Sequence, residues 1–138
     1  MSTRFLLDTN ALSEPLKPRP SARVLELLTA HADSIATASP VWHELVFGVA
    51  SMPPGRRRRT GERYLQNVIA ANVPIVGYDA AAASWHAHER ARLAAAGKPA
   101  PFVDGQIAAV AAVNGLTLVT ANARDFACFH AVRVTSWH

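Results

Sequence analysis

The sequence is poor in several things whose scarcity is informative. It holds one cysteine in 138 residues, so no disulfide can form within the chain and a reducing compartment is expected. Cys128 sits beside Phe126 and Phe129, a setting that predicts a buried structural thiol rather than a nucleophile. No apolar run approaches the roughly 20 residues of a membrane span. The charged start of the chain lacks the long apolar stretch and cleavage site of a signal peptide. A soluble, cytoplasmic protein is therefore expected. Repeats, low-complexity tracts and linkers are missing too, and one domain, residues 1–138, is the simplest organisation. Half of the residues are hydrophobic, which argues against a disordered chain.

Acidic residues are also in deficit. Lys and Arg number 14 against 10 Asp and Glu, for a net charge of +4. The excess is local. RRRRTGER places Arg56, Arg57, Arg58, Arg59 and Arg63 against one glutamate, and that segment accounts for all of it. Such a patch suits a phosphate backbone or an acidic partner. It equally suits a solvated loop kept soluble by its charge.

What is present is a regular alternation of strand and helix periods. RFLL reads as a first strand, SARVLELLTAHA as an amphipathic helix introduced by Pro20 and Ser21, and SIATAS as a second strand. Ser39 and Pro40 supply an N-cap and a first helical proline for VWHELVFGVA. After Pro53-Pro54-Gly55 the basic segment leads into a helix over RYLQNVIAAN, and VPIVGY is a third strand. Asp79 caps a long helix that Gly97 closes. VDGQIAAVAAV is an apolar helix, LTLVT a fourth strand, and VRVTSW a fifth. Strands separated by helices, with none close enough for a hairpin, predict an α/β fold with a parallel sheet covered on both faces. In such sheets the functional crevice lies at the carboxyl ends of the strands. Asp8 ends the first strand, and Asn122 and Asp125 follow the fourth, so these ends are expected to face one crevice.

Two further carboxylates interrupt apolar helices. Glu44 shares a helix face with Pro40, Val41, Phe47 and Gly48, and Asp104 stacks with Ile107, Ala108 and Ala111. A carboxylate on an apolar stripe is costly to desolvate without a cationic partner, and no Lys or Arg is near either in sequence. Asp104 has a simpler reading as the N-cap of its own helix. Taken together, Asp8, Glu44, Asp104 and Asp125 would repel one another in one pocket, and a divalent cation removes that conflict. Mg²⁺ or Mn²⁺ takes oxygen ligands, keeps waters, and is held by a few carboxylates together with substrate phosphates. The residue types alone thus point to a metal-dependent phosphoryl enzyme.

Three motifs, LLDTNALSEPLKPRP, SPVWHELVFG and DGQIAAVAAVNGLTLVTANARDF, resemble those of PIN-domain nucleases. Within that family the likeness is to the VapC and FitB-type toxins of toxin–antitoxin pairs, and it runs from Phe5 to VTSW. The resemblance implies a three-layer α/β fold around a parallel sheet of about five strands, and a Mg²⁺- or Mn²⁺-dependent ribonuclease. Asp8, Glu44 and Asp104 match the family's first three acidic positions and would hold the cation. The fourth position falls to Asn122 or Asp125, Asp125 having a supporting or water-mediated role and Asn122 orienting a water or a carboxylate. Thr9, Asn10 and Thr120 look like pocket donors and acceptors. The resemblance further implies a homodimer, a VapB/FitA-type antitoxin whose tail covers the pocket, and operator DNA bound only through that antitoxin. The arginine run would track RNA outside the pocket or dock the antitoxin.

Rival readings are weaker. A haloacid-dehalogenase-type phosphatase would need a second Asp at Asn10 and a lysine before the last acidic motif, and both are absent. A non-catalytic RNA- or protein-binding module of the same fold is the alternative, although a phosphate binder gains nothing from gathered carboxylates. His86-x-His88-Glu89 invites a zinc reading, but helix positions two apart point in different directions. His43, next to Glu44, and the three tryptophans, Trp42, Trp85 and Trp137, are read as packing or interface residues before base-stacking ones.

Overall fold

A computed structural model describes residues 2–138 of the chain. The described residues form one five-stranded sheet, β1 (Phe5–Leu7), β2 (Ile35–Ala38), β3 (Ile75–Val76), β4 (Thr117–Val119) and β5 (Val134–Thr135). The spatial order is β3-β2-β1-β4-β5, and every pairing is parallel. The strand and helix alternation in the sequence anticipates this arrangement. Leu6, Leu7, Leu118 and Val119 are fully buried, as expected of central strands with helices on both faces. Each such side chain contributes roughly 1.5–3 kcal/mol through removal from water. No helix among the described residues is long and apolar enough to cross a membrane.

The helices are α1 (Thr9–Leu12), α2 (Ala22–Ala30), α3 (Ser39–Ala50), α4 (Arg56–Tyr64), α5 (Ala80–Ala95) and α6 (Phe102–Val113). Ser21 caps α2 by accepting from Val24 N at 3.3 Å, and Asp79 caps α5 by accepting from Ala82 N at 2.9 Å, both as the sequence predicts. Gly97 takes φ +71° beyond the end of α5, a conformation that glycine adopts without a Cβ penalty.

Several local expectations are corrected. Ser39 is the first residue of α3 rather than its cap; Ala38 occupies the cap position. The Ser39 hydroxyl accepts instead from the Tyr78 amide at 3.2 Å, tying the start of α3 to the chain beyond β3. α6 begins at Phe102 and no side chain caps it, so Asp104 lies in its first turn and is not its N-cap. The arginine run is helical from its first residue, since Arg is a good helix former and Arg58 pairs with Glu62 one turn on at 3.4 Å. α4 continues as a π-helical stretch, Leu65–Ala70. Cys128 is exposed, not buried. Phe126 and Phe129 turn inward on either side of it, which leaves the intervening thiol facing out.

One polar clamp secures the segment after β4. The buried Glu89 of α5 accepts from Arg92 Nε and Nη2, both at 2.9 Å, and from the His130 amide at 2.7 Å. Arg92 also donates to the Cys128 carbonyl at 2.8 Å. The Arg92 hydrogen bonds, helped by the His130 amide, bring the Glu89 pKa down to about 2 from 4.5. A depressed folded-state pKa means stability that is present above pH 4.5 and is lost as pH falls towards about 2. Glu89→Gln is therefore expected to lower the melting temperature at pH 7 and to match the wild type near pH 2. Thermal melts of both proteins across that range check this.

Candidate active site

The strand order reverses beside β1: the chain runs outward from β1 to β2 and β3, then returns to place β4 on the other side of β1. Such a switch point leaves a crevice outside the carboxyl ends of the two strands. Leu7 pairs with Val119, so the next residues, Asp8 and Thr120, lie side by side at that crevice. Thr120 Oγ1 donates to Asp8 Oδ2 at 2.8 Å, and the Thr9 amide donates to Asp8 Oδ1 at 2.8 Å. Asp8 is 7% exposed. Burial raises its pKa, the Thr9 amide and the Thr120 hydroxyl pull it back, and the charge of Glu44 raises it further.

Three more carboxylates reach the same crevice from different elements. A helix that precedes a parallel strand runs against it, so the first turn of α6, and Asp104 within it, stands at the carboxyl edge of the sheet. The pKa of Asp104 is raised by burial first, then by the charges of Asp8, Asp125 and Glu44 in turn. Asp125 belongs to the single 3₁₀ turn Ala123–Phe126 that follows β4. Glu44 lies in the second turn of α3, which starts directly after β2. Every charge acting on Asp8 and Asp104 is negative.

The environment of Glu44 differs from expectation. Glu44 is exposed and its apolar neighbour Phe47 is 65% exposed. The face of α3 that enters the core carries Val41, Leu45 and Val49, and the stripe bearing Glu44 fronts solvent at the crevice. α3 is apolar on both faces, so its pattern does not say which one is buried.

The polar residues around the carboxylates form a short network. Thr120 Oγ1 accepts from the Asn122 amide at 3.1 Å and meets Asn10 Nδ2 at 3.5 Å, while Asn10 Oδ1 accepts from the Ala121 amide at 2.8 Å. Asn10 thus pins the loop that leaves β4. Asn122 is exposed, and its amide is held by Thr120. The Thr9 hydroxyl is buried without a hydrogen-bond partner. The arginines stand apart from this cluster. Gly61 packs on Val49 and Arg58 lies beside Val46, Val49 and Ala50, so the arginine run flanks the C-terminal half of α3. Arg58 is engaged with Glu62 and with the Met52 carbonyl at 3.3 Å, whereas Arg56, Arg57, Arg59 and Arg63 are exposed.

A groove of about 550 Å³ adjoins the carboxylates, with Glu44, Phe47, Tyr78, Val103 and Gln106 on its walls. Behind it stands a pair absent from the expected site. The Tyr78 hydroxyl and His86 Nδ1 lie 2.8 Å apart, and His86, 3% exposed, has its ring against Gly105, the residue after Asp104. A Cβ on Gly105 would come 2.2 Å from His86 Nε2. His88 is exposed and bonds the Ser84 carbonyl at 2.8 Å, so His86, His88 and Glu89 face different surroundings. The sequence signal for the pair was the glycine after Asp104, meaningful only once α5 is known to cross there. Trp137 is buried, stacked on His31 with centroids 5.4 Å apart, and Trp42 and Trp85 pack against the core.

The donor set suits a hard cation. It offers carboxylate oxygens, an orphaned buried hydroxyl on Thr9 and no counter-charge. Among the described residues no three His, Cys, Asp or Glu side chains converge as a closed metal cage.

Comparison with known proteins agrees with the fold. The PIN-domain profile matches residues 5–132. The chain is 32% identical to the tRNA(fMet)-specific endonuclease VapC of Shigella flexneri over 97% of its length and 98% of the relative's. It is 31% identical to toxin FitB of Neisseria gonorrhoeae, covering 97% and 99% respectively. Among solved structures, DNA-bound VapBC from Salmonella typhimurium superposes with a TM-score of 0.86 at 26% identity, covering 99% of both chains.

Proposed function

The chain belongs to the PIN-domain family, and from that membership together with the carboxylate crevice we propose that it is a metal-dependent endoribonuclease, the toxin of a type II toxin–antitoxin pair. The observation that carries the reading is electrostatic. Asp8 and Asp104 are both raised in pKa by burial and by neighbouring carboxylates, with no cation of the chain to offset them. Carboxylates perturbed by burial and by one another in a cleft are characteristic of functional sites.

In this reading residues 1–138 form one PIN domain acting in the cytoplasm. Asp8, Glu44 and Asp104 would hold Mg²⁺ or Mn²⁺, directly or through its waters, and the ion would supply polarisation of a phosphate and a lowered pKa for a coordinated water. Asp125 accepts a proton or a water hydrogen at the rim, and Asn122 orients it. Thr120 favours the ionised form of Asp8 and aims it by donating to Oδ2, while Asn10 fixes the loop that carries Thr120 and Asn122. Thr9 offers its unpartnered hydroxyl to the same shell.

Arg56, Arg57, Arg59 and Arg63 serve RNA or antitoxin binding outside the pocket. Arg56 to Arg59 occupy the first turn of α4, where cations oppose the helix dipole by roughly 0.3–1 kcal/mol each. That disfavoured placement supports an anionic ligand. The DNA-bound VapBC structure supports an antitoxin of the VapB/FitA type with operator DNA engaged through it, and a homodimer belongs to the same reading. The binding-module alternative fails to account for the gathered carboxylates.

Purified protein free of any partner is expected to cleave structured RNAs in Mg²⁺ or Mn²⁺ and to stop in EDTA. Cleavage that persists in EDTA would sink the metal-nuclease reading. RNA binding without cleavage, across a broad RNA panel, would favour the binding module.

A further inference from the structure

We propose that the groove beside the carboxylates is a subsite for one unpaired nucleobase of a single-stranded RNA, with Phe47 as its stacking surface and Gln106 reading the base edge. The inference rests on the nuclease reading for the identity of the polymer and goes beyond it in naming what enters the groove.

The groove's volume, about 550 Å³, lies within the roughly 300–1,000 Å³ of small-molecule pockets. Beside Ser39, Pro40, His43 and Glu44 its walls carry three features that suit a base. Phe47, 65% exposed, and Val103, 43% exposed, give it large uncovered apolar surface. Gln106 brings an amide with two donors and an acceptor. Tyr78 supplies an aromatic wall whose hydroxyl is fixed on the buried His86 at 2.8 Å. An aromatic face with an edge-reading amide beside it is how proteins take up splayed-out RNA bases.

The charge of the groove selects among occupants. Its carboxylate, Glu44, also acts on Asp8 and Asp104, so the groove opens onto the acidic crevice. An acidic peptide or a bare phosphate would be repelled there, whereas a base is neutral. A second copy seated in the groove would have to cover that carboxylate, and charged residues are depleted in interface cores. Phe47 is three positions from Glu44, on the same face of α3. A base on Phe47 therefore brings its own backbone towards the carboxylates. A paired base presents no free face, so the subsite admits single strands and unpaired loops.

The test separates binding from cleavage. The full chain carrying Asp8→Asn is titrated in EDTA against a fluorescein-labelled single-stranded RNA decamer, the matching duplex, and a decamer of abasic ribose. Adding Phe47→Ser is expected to weaken single-strand binding by roughly tenfold and to leave abasic and duplex binding unchanged; Phe47→Trp is expected to restore it. Gln106→Leu is expected to level differences among oligo-A, oligo-C and oligo-U. Equal affinity of the Phe47→Ser and parent proteins for the base-bearing strand overturns the proposal. So does a change of oligomeric state in Phe47→Ser with RNA binding unaltered, which would mark the face as an interface between copies. Base-dependent binding without cleavage by the wild-type chain in Mg²⁺ would leave this subsite standing and remove the nuclease reading. Cleavage with indifference to the base would do the reverse.

Discussion

Asp104→Asn is expected to reduce RNA cleavage by roughly 100-fold or more while raising the melting temperature of the metal-free protein at pH 7. The loss of activity follows from the proposed ligand role: even partners one step removed from a metal cost 10- to roughly 100-fold when replaced. The gain in stability follows from the sign of the pKa shift. Asp104 titrates above its ordinary 3.8, through burial first and then through Asp8, Asp125 and Glu44. A folded-state pKa above the unfolded one means stability present below pH 3.8 and lost as pH rises through the folded value. At neutral pH the ionised Asp104 therefore opposes folding, and the isosteric amide removes that opposition. The melting difference between variant and wild type should vanish below pH 3.8 and shrink when Mg²⁺ is added. Parallel melting curves and cleavage assays over pH 3–8 provide the check. A variant that lost activity and stability together would identify Asp104 as a structural residue.

The second large effect is structural. Gly105→Ala is expected to destabilise the fold by roughly 1–3 kcal/mol, the usual cost of forcing extra carbon into a packed site. The added Cβ would stand 2.2 Å from His86 Nε2 and 2.6 Å from His86 Cδ2. The imidazole cannot simply swing aside. Its Nδ1 is held by the Tyr78 hydroxyl, the Phe102 ring lies 4.8 Å away, and the residue is buried. Relief must come from moving α6 against α5, and that movement carries Asp104 with it. Thermal unfolding should show a Tm lower by several degrees, and cleavage should fall although no proposed ligand is altered. Combining Gly105→Ala with His86→Ala should recover part of the loss, because residues in contact respond non-additively. Full additivity of the two changes would refute a direct clash.

How much of this was legible in the sequence depends on the range over which each feature is determined. The parallel sheet was legible because helix and strand periods alternate without a hairpin, and Ser21, Asp79 and Gly97 marked helix ends through local chemistry alone. The placing of Asp8 beside the segment after β4 was legible because both follow strand ends. α1 was not, since four residues are too few to show a helical period, and Asp8 turns out to head it as well as to face the crevice. The orientation of Glu44 was not legible either, because α3 is apolar on two faces and only the packing of Val41, Leu45 and Val49 decides between them. Contacts across long separations were invisible: Glu89 on the His130 amide, Tyr78 on His86, and Glu14, buried while it meets Lys17 at 3.0 Å and His138 at 3.2 Å.

The crossing order of the strands also bears on time. β1 and its neighbour β4 are separated by β2, β3 and the intervening helices, and Thr120 reaches Asp8 across 112 positions of chain. Closing so long a loop is slow compared with forming local helices. The crevice therefore comes into being only when α6, β4 and the Ala123–Phe126 turn have joined the half that holds β1, β2 and α3. A chain folded only as far as α3 carries Asp8 and Glu44 but not the crevice that Thr120 and Asp104 complete.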